Sequence, residues 1–235
     1  MFGSTGSVSG TDSDSDSDTV FGVDVSEWQD GLPMSEVAAA GGRFAIVRAC
    51  DGTYADPVFA SHFRDARENG LTTAAYWYVR HPREGTSFAE QAAVVAGQLR
   101  LPGVGSLDDG HAPAVWLDVE TAPHRLDAGD VVAAADALRA EGVRCAGIYT
   151  TRSYWRLRAF PAPGAVPGGL WLAQWPGGAS GETEYPGDDH RAWRPFRGRI
   201  PDLWQFTDRG TIAGTSVDVD AVRGGEAALP VVSGG

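Results

Sequence analysis

The feature that most restricts the fold of this chain is an alternation of short apolar runs with helix-type stretches, which starts at Val20. The apolar runs carry few charges, as strands buried on both faces of a parallel sheet do. Between them, apolar residues recur at helical spacing, and several of these stretches end at glycine. The alternation predicts repeated β-α-β units, and therefore a mostly parallel sheet with helices on its outside.

The pattern predicts about eight strands and four helices. The predicted strands are 20–26, 43–50, 71–80, 112–120, 143–150, 169–175, 202–207 and 216–222. The predicted helices are 33–41, 56–70, 87–100 and 127–142. After Thr151 the connections become short or irregular. We therefore predict an α/β fold, a single irregular (β/α) TIM-like barrel with reduced helices in its C-terminal part.

The chain is predicted to have one folded domain between two tails. Residues 1–20 are rich in Gly, Ser and Thr, with Asp and Ser alternating over 12–18, and are expected to form an acidic flexible tail, because such a composition buries no core. The barrel is predicted over 21–226, and 227–235 are expected to be a C-terminal tail. The first ten residues show no basic region followed by an apolar one, so no secretory signal is predicted.

Composition excludes several classes of function. The net charge is −12, which argues against binding to nucleic acid or to an anionic membrane surface. Cys50 and Cys145 lie in apolar runs and are expected to be buried thiols rather than a disulfide framework. His-x-His, His-Glu-x-x-His and Cys-x-x-Cys spacings are absent, so neither a metal nor another cofactor is predicted.

Two carboxylates stand in the apolar run VWLDVE. Residues i and i+2 of a strand face the same side, so Asp118 and Glu120 would share a face, with α-carbons about 6.6 Å apart. They lie at the C-terminal end of a predicted strand, where barrels of this kind build active sites. One interpretation is a strand end with two solvated acids. The other is a catalytic pair for glycoside hydrolysis, which uses two nearby carboxyl groups.

Two further acids favour the catalytic interpretation. Asp24 ends the first predicted strand and Asp218 lies in the last, and these two strands are neighbours in a closed barrel. The four acids would then meet at one mouth of the barrel. Such a cluster indicates function, because burying carboxyl groups is costly.

Aromatic residues at or near predicted strand ends are candidates for stacking on sugar rings, with core packing as the alternative role. Within AAYWYV, Tyr76 and Tyr78 share one face and are predicted to line the interior, whereas Trp77 would face a helix. The candidate substrate-binding residues are Tyr76, Tyr78, Trp28, Tyr54, Trp175 and Trp204.

Seven motifs, in order, resemble those of glycoside hydrolase family 25, the Ch-type lysozymes. They are GVDVSEWQ, FAIVRACDGTYADPVF, GLTTAAYWYVR, VWLDVE, AGIYT, LWLAQW and LWQFT, and the resemblance covers about 21–222. The resemblance implies a β/α barrel with irregular closing strands. It also implies a lysozyme (muramidase) that cleaves the β-1,4 bond between N-acetylmuramic acid and N-acetylglucosamine of bacterial peptidoglycan.

Matched by motif, the resemblance implies a role for each acid. Glu120 would be the general acid/base. Asp118 would orient or charge-stabilise the 2-acetamido group of the substrate, or act as nucleophile, and Asp24 and Asp218 would support the two. Neither the resemblance nor the spacing chooses between a covalent and a substrate-assisted path, or between retaining and inverting geometry.

The chain also departs from the family pattern. The last motif of the family usually reads Val-Asp-x-Asn, whereas this chain has Asp220 at the fourth position, which adds a charge near Asp218. Trp77 stands where the family often has histidine. A long polar insert over 177–197 is predicted to be a rim loop that shapes access to the substrate.

The resemblance implies bacterial peptidoglycan glycan strands as the partner, and the net charge of −12 predicts no nucleic acid and no membrane as partners. Phage or injection-particle proteins are candidate partners through the acidic N-terminal tail. Because no signal is predicted, the enzyme is expected to act at the bacterial cell wall after holin-type lysis, or carried in a virion or injection machine. The alternative is a catalytically silent structural or wall-binding protein of a particle that retains the lysozyme fold, with a blocked cleft or one acid turned away.

Overall fold

The computed structural model describes residues 18–105, 113–155, 160–162, 164–166, 168–176 and 184–235. Residues 1–17 of the predicted tail lie outside these ranges, and the division of the chain into tail, barrel and C-terminal tail stays a prediction. No helix within the described ranges combines the length and the apolar character that crossing a membrane requires.

Eight strands form a closed barrel, as predicted. Their order around the barrel is β1-β9-β8-β7-β6-β5-β4-β2, and pairing of β1 with β2 closes it. The two-residue strand β3 adds to the edge of β2. The strands are β1 Thr19–Val25, β2 Phe44–Asp51, β3 Tyr54–Ala55, β4 Thr72–Tyr78, β5 Val115–Asp118, β6 Cys145–Thr151, β7 Gly169–Ala173, β8 Leu203–Ile212 and β9 Thr215–Arg223.

The last barrel strand runs against its neighbours. Pairs from β1 through β2, β4, β5, β6 and β7 to β8 are parallel, whereas β9 is antiparallel to both β8 and β1. Ile212 pairs with Thr215, so only Ala213 and Gly214 connect the two strands. Both have positive φ, 49° and 81°. This is the backbone of a tight hairpin turn, which reverses the chain and makes the barrel mixed.

All four predicted helices are present, and they lie in the N-terminal part of the chain. They are α1 Met34–Ala39, α2 Phe59–Glu68, α3 Phe88–Leu99 and α4 Ala128–Ala140. Helix α3 begins with the predicted capping box, in which the Ser87 hydroxyl accepts from the Glu90 backbone N–H and the Glu90 carboxylate accepts from the Ser87 N–H. Among the described residues after β6, only short 3-10 turns occur, at Arg191–Trp193 and Glu226–Val231.

Part of the polar insert takes the place of a helix on the outside of the barrel. Tyr185 packs edge-on against Phe21 and Phe206, with ring centroids 5.1 and 5.3 Å apart. His190 stacks flat on Trp204 at 4.8 Å. The rim-loop prediction is therefore wrong for this described part, because its aromatic rings cover apolar strand faces. Residues 177–183 of the insert lie outside the described ranges.

The last residues of the chain close the bottom of the barrel. Val232 is fully buried in a cluster with Phe44, Ile46 and Trp116, and its carbonyl accepts from Trp116 Nε1 at 2.9 Å. The first barrel strand begins at the same end, because the carbonyl of Asp18, the residue before β1, accepts from the Gly225 N–H. A plug at the bottom leaves the opposite end, where the parallel strands finish, as the open mouth.

Candidate active site

The open mouth of the barrel holds a cleft in which the four predicted acids meet. The first and last strands, β1 and β9, carry Asp24 and Asp218, and β5 and the loop after it carry Asp118 and Glu120. The cleft is lined by Asp24, Val25, Ser26, Trp28, Gln29, Arg48, Tyr76, Tyr78, Asp118, Glu120, Tyr149, Trp171, Gln205 and Asp218. The predicted meeting of acids from separate strands is thus found in the structure.

Asp118 and Glu120 form one wall of the cleft. Asp118 is the last residue of β5 and is 6% exposed, and its Oδ1 has no hydrogen-bond partner among the described residues. Burial, with repulsion from Glu120, raises the pKa of Asp118 well above its usual range. Burial also raises the pKa of Glu120. The bonding of β5 to β6 continues one residue past Asp118, since the Val119 N–H donates to the Tyr149 carbonyl at 2.9 Å.

Asp24 and Asp218 form the facing wall, directly paired across β1 and β9. Gln205 Nε2 donates to Asp24 Oδ2 at 2.7 Å. Burial, with repulsion from Asp218 and Asp220, raises the pKa of Asp24 well above its usual range. Burial and the charges of Asp208 and Glu120 raise the pKa of Asp218 to about 7. Acids that hold protons near neutral pH are suited to general acid catalysis.

Three of the predicted aromatics line the cleft and two lie beside it. Trp28, Tyr76 and Tyr78 line it, and Trp28 is 79% exposed. Trp175 is half-exposed and donates through Nε1 to Gln205 Oε1 at 3.1 Å. Tyr54 is exposed, and its hydroxyl donates to Glu27 Oε2 at 2.8 Å. Burial and repulsion from Asp118 and Glu120 raise the pKa of Tyr78 to about 12, so its hydroxyl stays a donor.

The assignment of Trp204 to the substrate is wrong. Its ring is fully buried on the outer side of β8, between His190 and Trp193. Its Nε1 donates to the Gln174 carbonyl at 2.7 Å. Because neighbouring residues of a strand face opposite sides, the outward position of Trp204 sends Gln205 into the cleft instead. Trp77 faces α3 as predicted, with its Nε1 3.3 Å from Gln91 Oε1.

The candidate site also includes residues that sequence reasoning did not select. Tyr149 donates through its hydroxyl to Gln205 Oε1 at 3.0 Å. Trp171 packs on Tyr149 with ring centroids 4.6 Å apart. The sequence does contain a signal for these residues. Because successive residues of a strand face opposite sides, alternation within the motifs AGIYT, LWLAQW and LWQFT indicates which of their residues point into the barrel.

Arg48 brings a cation to this acidic cleft. It is 8% exposed, and its guanidinium donates to Asp56 Oδ2 at 2.9 Å and to Glu27 Oε1 at 2.7 Å. Its charge opposes the rise in the pKa of Asp118. No group of three or more metal-ligating side chains is found among the described residues.

Comparison with known proteins decides the family. The model of the family described as glycosyl hydrolases family 25 matches residues 23–215 of this chain. The chain belongs to glycosyl hydrolase family 25. As predicted, it is therefore a glycoside hydrolase by family, and its fold is the barrel of that family.

Relatives and solved structures agree with this membership. Lysozyme M1 of Streptomyces globisporus is 30% identical over 213 residues, 87% of this family 25 chain and 67% of that protein. The N,O-diacetylmuramidase of a Chalaropsis species is 30% identical over 189 residues, 64% of this chain and 83% of that protein. The bacterial lysozyme of Streptomyces coelicolor matches in three dimensions with a TM-score of 0.66, at 26% identity, covering 92% of this chain and 97% of its own.

Proposed function

We propose that this chain is a peptidoglycan hydrolase, an N-acetylmuramidase that cleaves the β-1,4 bond between N-acetylmuramic acid and N-acetylglucosamine. The observation that carries the proposal is the pair Asp118 and Glu120 in an open cleft, with burial raising the pKa of both carboxyl groups. The names of the relatives support the same activity, because two of them are a lysozyme and a muramidase.

Glu120 is proposed as the general acid. It lines the cleft just past the end of β5, and it is more exposed than Asp118, so it is the acid that substrate oxygen reaches first. Burial favours its protonated form. A proton held near neutral pH is what the leaving glycosidic oxygen requires.

Asp118 is proposed to act on the sugar itself. Its buried Oδ1 has no hydrogen-bond partner among the described residues, so it is available as an acceptor for the N–H of the 2-acetamido group or as a nucleophile. Asp24 and Asp218 would hold the facing wall. Trp28, Tyr76 and Tyr78 supply aromatic surface for the sugar rings, with Trp175 and Tyr54 beside the cleft.

The bond that is cut can be identified from its products. Purified protein is incubated with peptidoglycan, the digest is reduced with borohydride, and the new ends are identified after acid hydrolysis. A muramidase exposes reducing muramic acid, so muramitol is the expected product. Reduced glucosamine ends would mean that the enzyme cuts the other glycosidic bond. No new reducing ends, from a folded protein that binds the glycan, would favour the catalytically silent alternative.

The biological setting is a separate part of the proposal. We propose action at the bacterial cell wall, in phage lysis or as a component of a virion or injection particle. Immunodetection of the protein in purified particles tests the second setting. Its absence from particles, together with its presence in the lysate, supports the first.

A further inference from the structure

Asp220 is a buried acid that the proposed roles leave unused. It lies on β9, two positions after Asp218, and it is fully buried. Its Oδ1 accepts from Trp171 Nε1 at 2.7 Å. Its Oδ2 is equally buried and has no hydrogen-bond partner among the described residues when every carboxyl group is ionised. A buried acceptor without a donor is costly, so this oxygen needs an explanation.

The carboxyl group of Asp24 can supply the donor that Asp220 Oδ2 lacks. On the β1–β9 pair, Asp24 lies opposite Asp218 and Gly22 lies opposite Asp220, so Asp24 and Asp220 are diagonal neighbours on the inner face. Both side chains are buried on this face, and each carboxyl group affects the pKa of the other. Two ionised carboxylates are both acceptors and cannot bond, whereas a carboxyl group and a carboxylate can.

We propose that Asp24 and Asp220 share a proton, and that Asp220 is thereby a positioning residue that holds Asp24 in the wall of the cleft. With the proton on Asp24, each oxygen of Asp220 has a donor, one from Trp171 and one from Asp24. The consequence for catalysis rests on the proposed function, whereas the shared proton does not.

The other bonds of Asp24 agree with this arrangement. Tyr149 and Trp175 both donate to Gln205 Oε1, at 3.0 and 3.1 Å, so the amide of Gln205 is oriented with its N–H₂ toward Asp24. Gln205 Nε2 donates a hydrogen bond to Asp24 Oδ2 at 2.7 Å. A proton on the Asp24 carboxyl group is the further donor that completes the set around Asp220.

The charges around the pair favour retention of the proton. Burial raises the pKa of Asp220 to about 8, with repulsion from Asp218 adding to it and the bonds from Trp171 and Asp24 opposing it. The titratable and charged groups that face the pair or line the same cleft are Arg48 on β2, Tyr76 on β4, Asp118 and Glu120 on and after β5, Tyr149 on β6, and Asp218 on β9. Of these, the one cation, Arg48, contacts Asp56 and Glu27 rather than the pair.

Sharing a proton has a consequence for the site. Two carboxyl groups then add one negative charge to the cleft instead of two. Loss of the proton ionises Asp24 beside the charged Asp220, which adds repulsion with Asp218 and breaks the bond that holds Asp24. Activity should therefore depend on the pair only at pH values where the proton leaves.

Asp220→Asn tests the pair by stability, without an activity assay. The amide is a permanent donor of nearly the same volume. Because burial raises the folded-state pKa of both carboxyl groups, the contribution of the shared proton to wild-type stability is complete below the usual value of about 3.9 and is lost as pH rises to about 8 and above. In this window the ratio of unfolding equilibrium constants, wild type over variant, should rise about tenfold per pH unit. A ratio that does not change with pH overturns the shared proton.

A direct probe keeps the test decisive if the variant does not fold. The indole N–H of Trp171 contacts Asp220, and comparison with Trp171→Phe assigns its resonance. In wild type this resonance should move as pH rises through about 8. A resonance that stays constant above neutral pH overturns the proposal.

The pH profile of kcat/KM tests the positioning role. Asp220→Asn should match wild type at acidic and neutral pH and retain activity to higher pH. Asp220→Leu, which neither donates nor accepts, should lose activity at every pH. Identical alkaline limbs for wild type and Asp220→Asn would overturn the positioning role. If wild type itself cleaves no glycan, the proposed function fails, while the stability ratio still reports on the pair.

Discussion

Asp24 and Asp218 lie directly opposite each other across the one seam where the first and last strands of the barrel pair antiparallel. Asp24 and Asp218 lie near opposite ends of the barrel sequence, so bringing them together costs chain entropy that the contacts between β1 and β9 must offset. The cleft wall that these acids form therefore depends on this long-range pairing. Partial unfolding that opens β1 from β9 should remove the wall before it removes the helices.

Glu120→Gln is the first test of the proposed chemistry. The amide is nearly isosteric, so the fold should persist, but it has no proton to donate. We expect kcat/KM to fall by about 10²–10⁴-fold, the usual contribution of general acid–base catalysis. Glu68→Gln, exposed on α2, is the matched control and should keep full activity. Wild-type turnover by Glu120→Gln with an unchanged pH optimum would exclude Glu120 as the acid.

Asp208→Asn should change the pH dependence of kcat/KM, although Asp208 lies outside the cleft lining. Asp208 is partly exposed, and its charge helps to raise the pKa of Asp218 to about 7. Removing that charge should lower the pKa of Asp218 and move the limb of the kcat/KM profile that reports Asp218 to lower pH. The shift should shrink in high salt, which screens the charge. Asp136→Asn, exposed on α4, should leave the profile unchanged; equal shifts in both variants would contradict the assignment.

The first half of the fold could be predicted because its helices carry apolar residues at helical spacing and its strands are mostly apolar, with few charges. The β8–β9 hairpin was not predicted for two physical reasons. The second half of β8, from Asp208 to Ile212, carries polar residues, so it lacks the signal of a buried strand. Its turn places Ala213 at positive φ, where residues with a side chain are uncommon, so the turn is hard to recognise.

The acids of the site could be predicted because charge within an apolar run needs a reason. The face of a strand on which an aromatic ring lies could not be predicted in the same way. Both faces of β8 are covered, so apolar residues occupy both, and the sequence does not say which face is the outer one. Trp204 is covered by His190 and Trp193 from the insert, a contact between segments that only the folded chain brings together.

Gln91→Leu tests the junction between α3 and the strand that carries Tyr76. Gln91 is fully buried, and its Oε1 accepts from the Arg80 N–H at 3.0 Å and from Trp77 Nε1 at 3.3 Å. Leucine leaves these donors without partners, and one unsatisfied buried group costs about 1–3 kcal/mol. We expect the free energy of unfolding to fall by about 3 kcal/mol in denaturant titrations. Ala93→Ser, exposed on the same helix, is the control; equal stability of the two variants would contradict the prediction.

Val232→Ala tests whether the last residues stabilise the barrel. The lost methyl groups pack against Phe44 and Trp116, so we expect a loss of about 2 kcal/mol. For a chain of this size that corresponds to a fall in Tm of about 4–8 °C, measured by calorimetry. Glu226→Ala removes only an exposed ion pair with Arg43 and should change Tm little. An unchanged Tm for Val232→Ala would mean that this segment contributes little to stability.

The bond between the Gly225 N–H and the Asp18 carbonyl brings the start and the end of the barrel together at the face opposite the acids. A segment joined directly before Asp18, or after the residues that follow Gly225 and close this face, therefore starts away from the acids. A wall-targeting module, an affinity tag or a solid support joined there would leave the mouth unobstructed. Two different modules, one at each point, would also lie next to each other. The domain is thus suited to display from a surface with its reactive side outward.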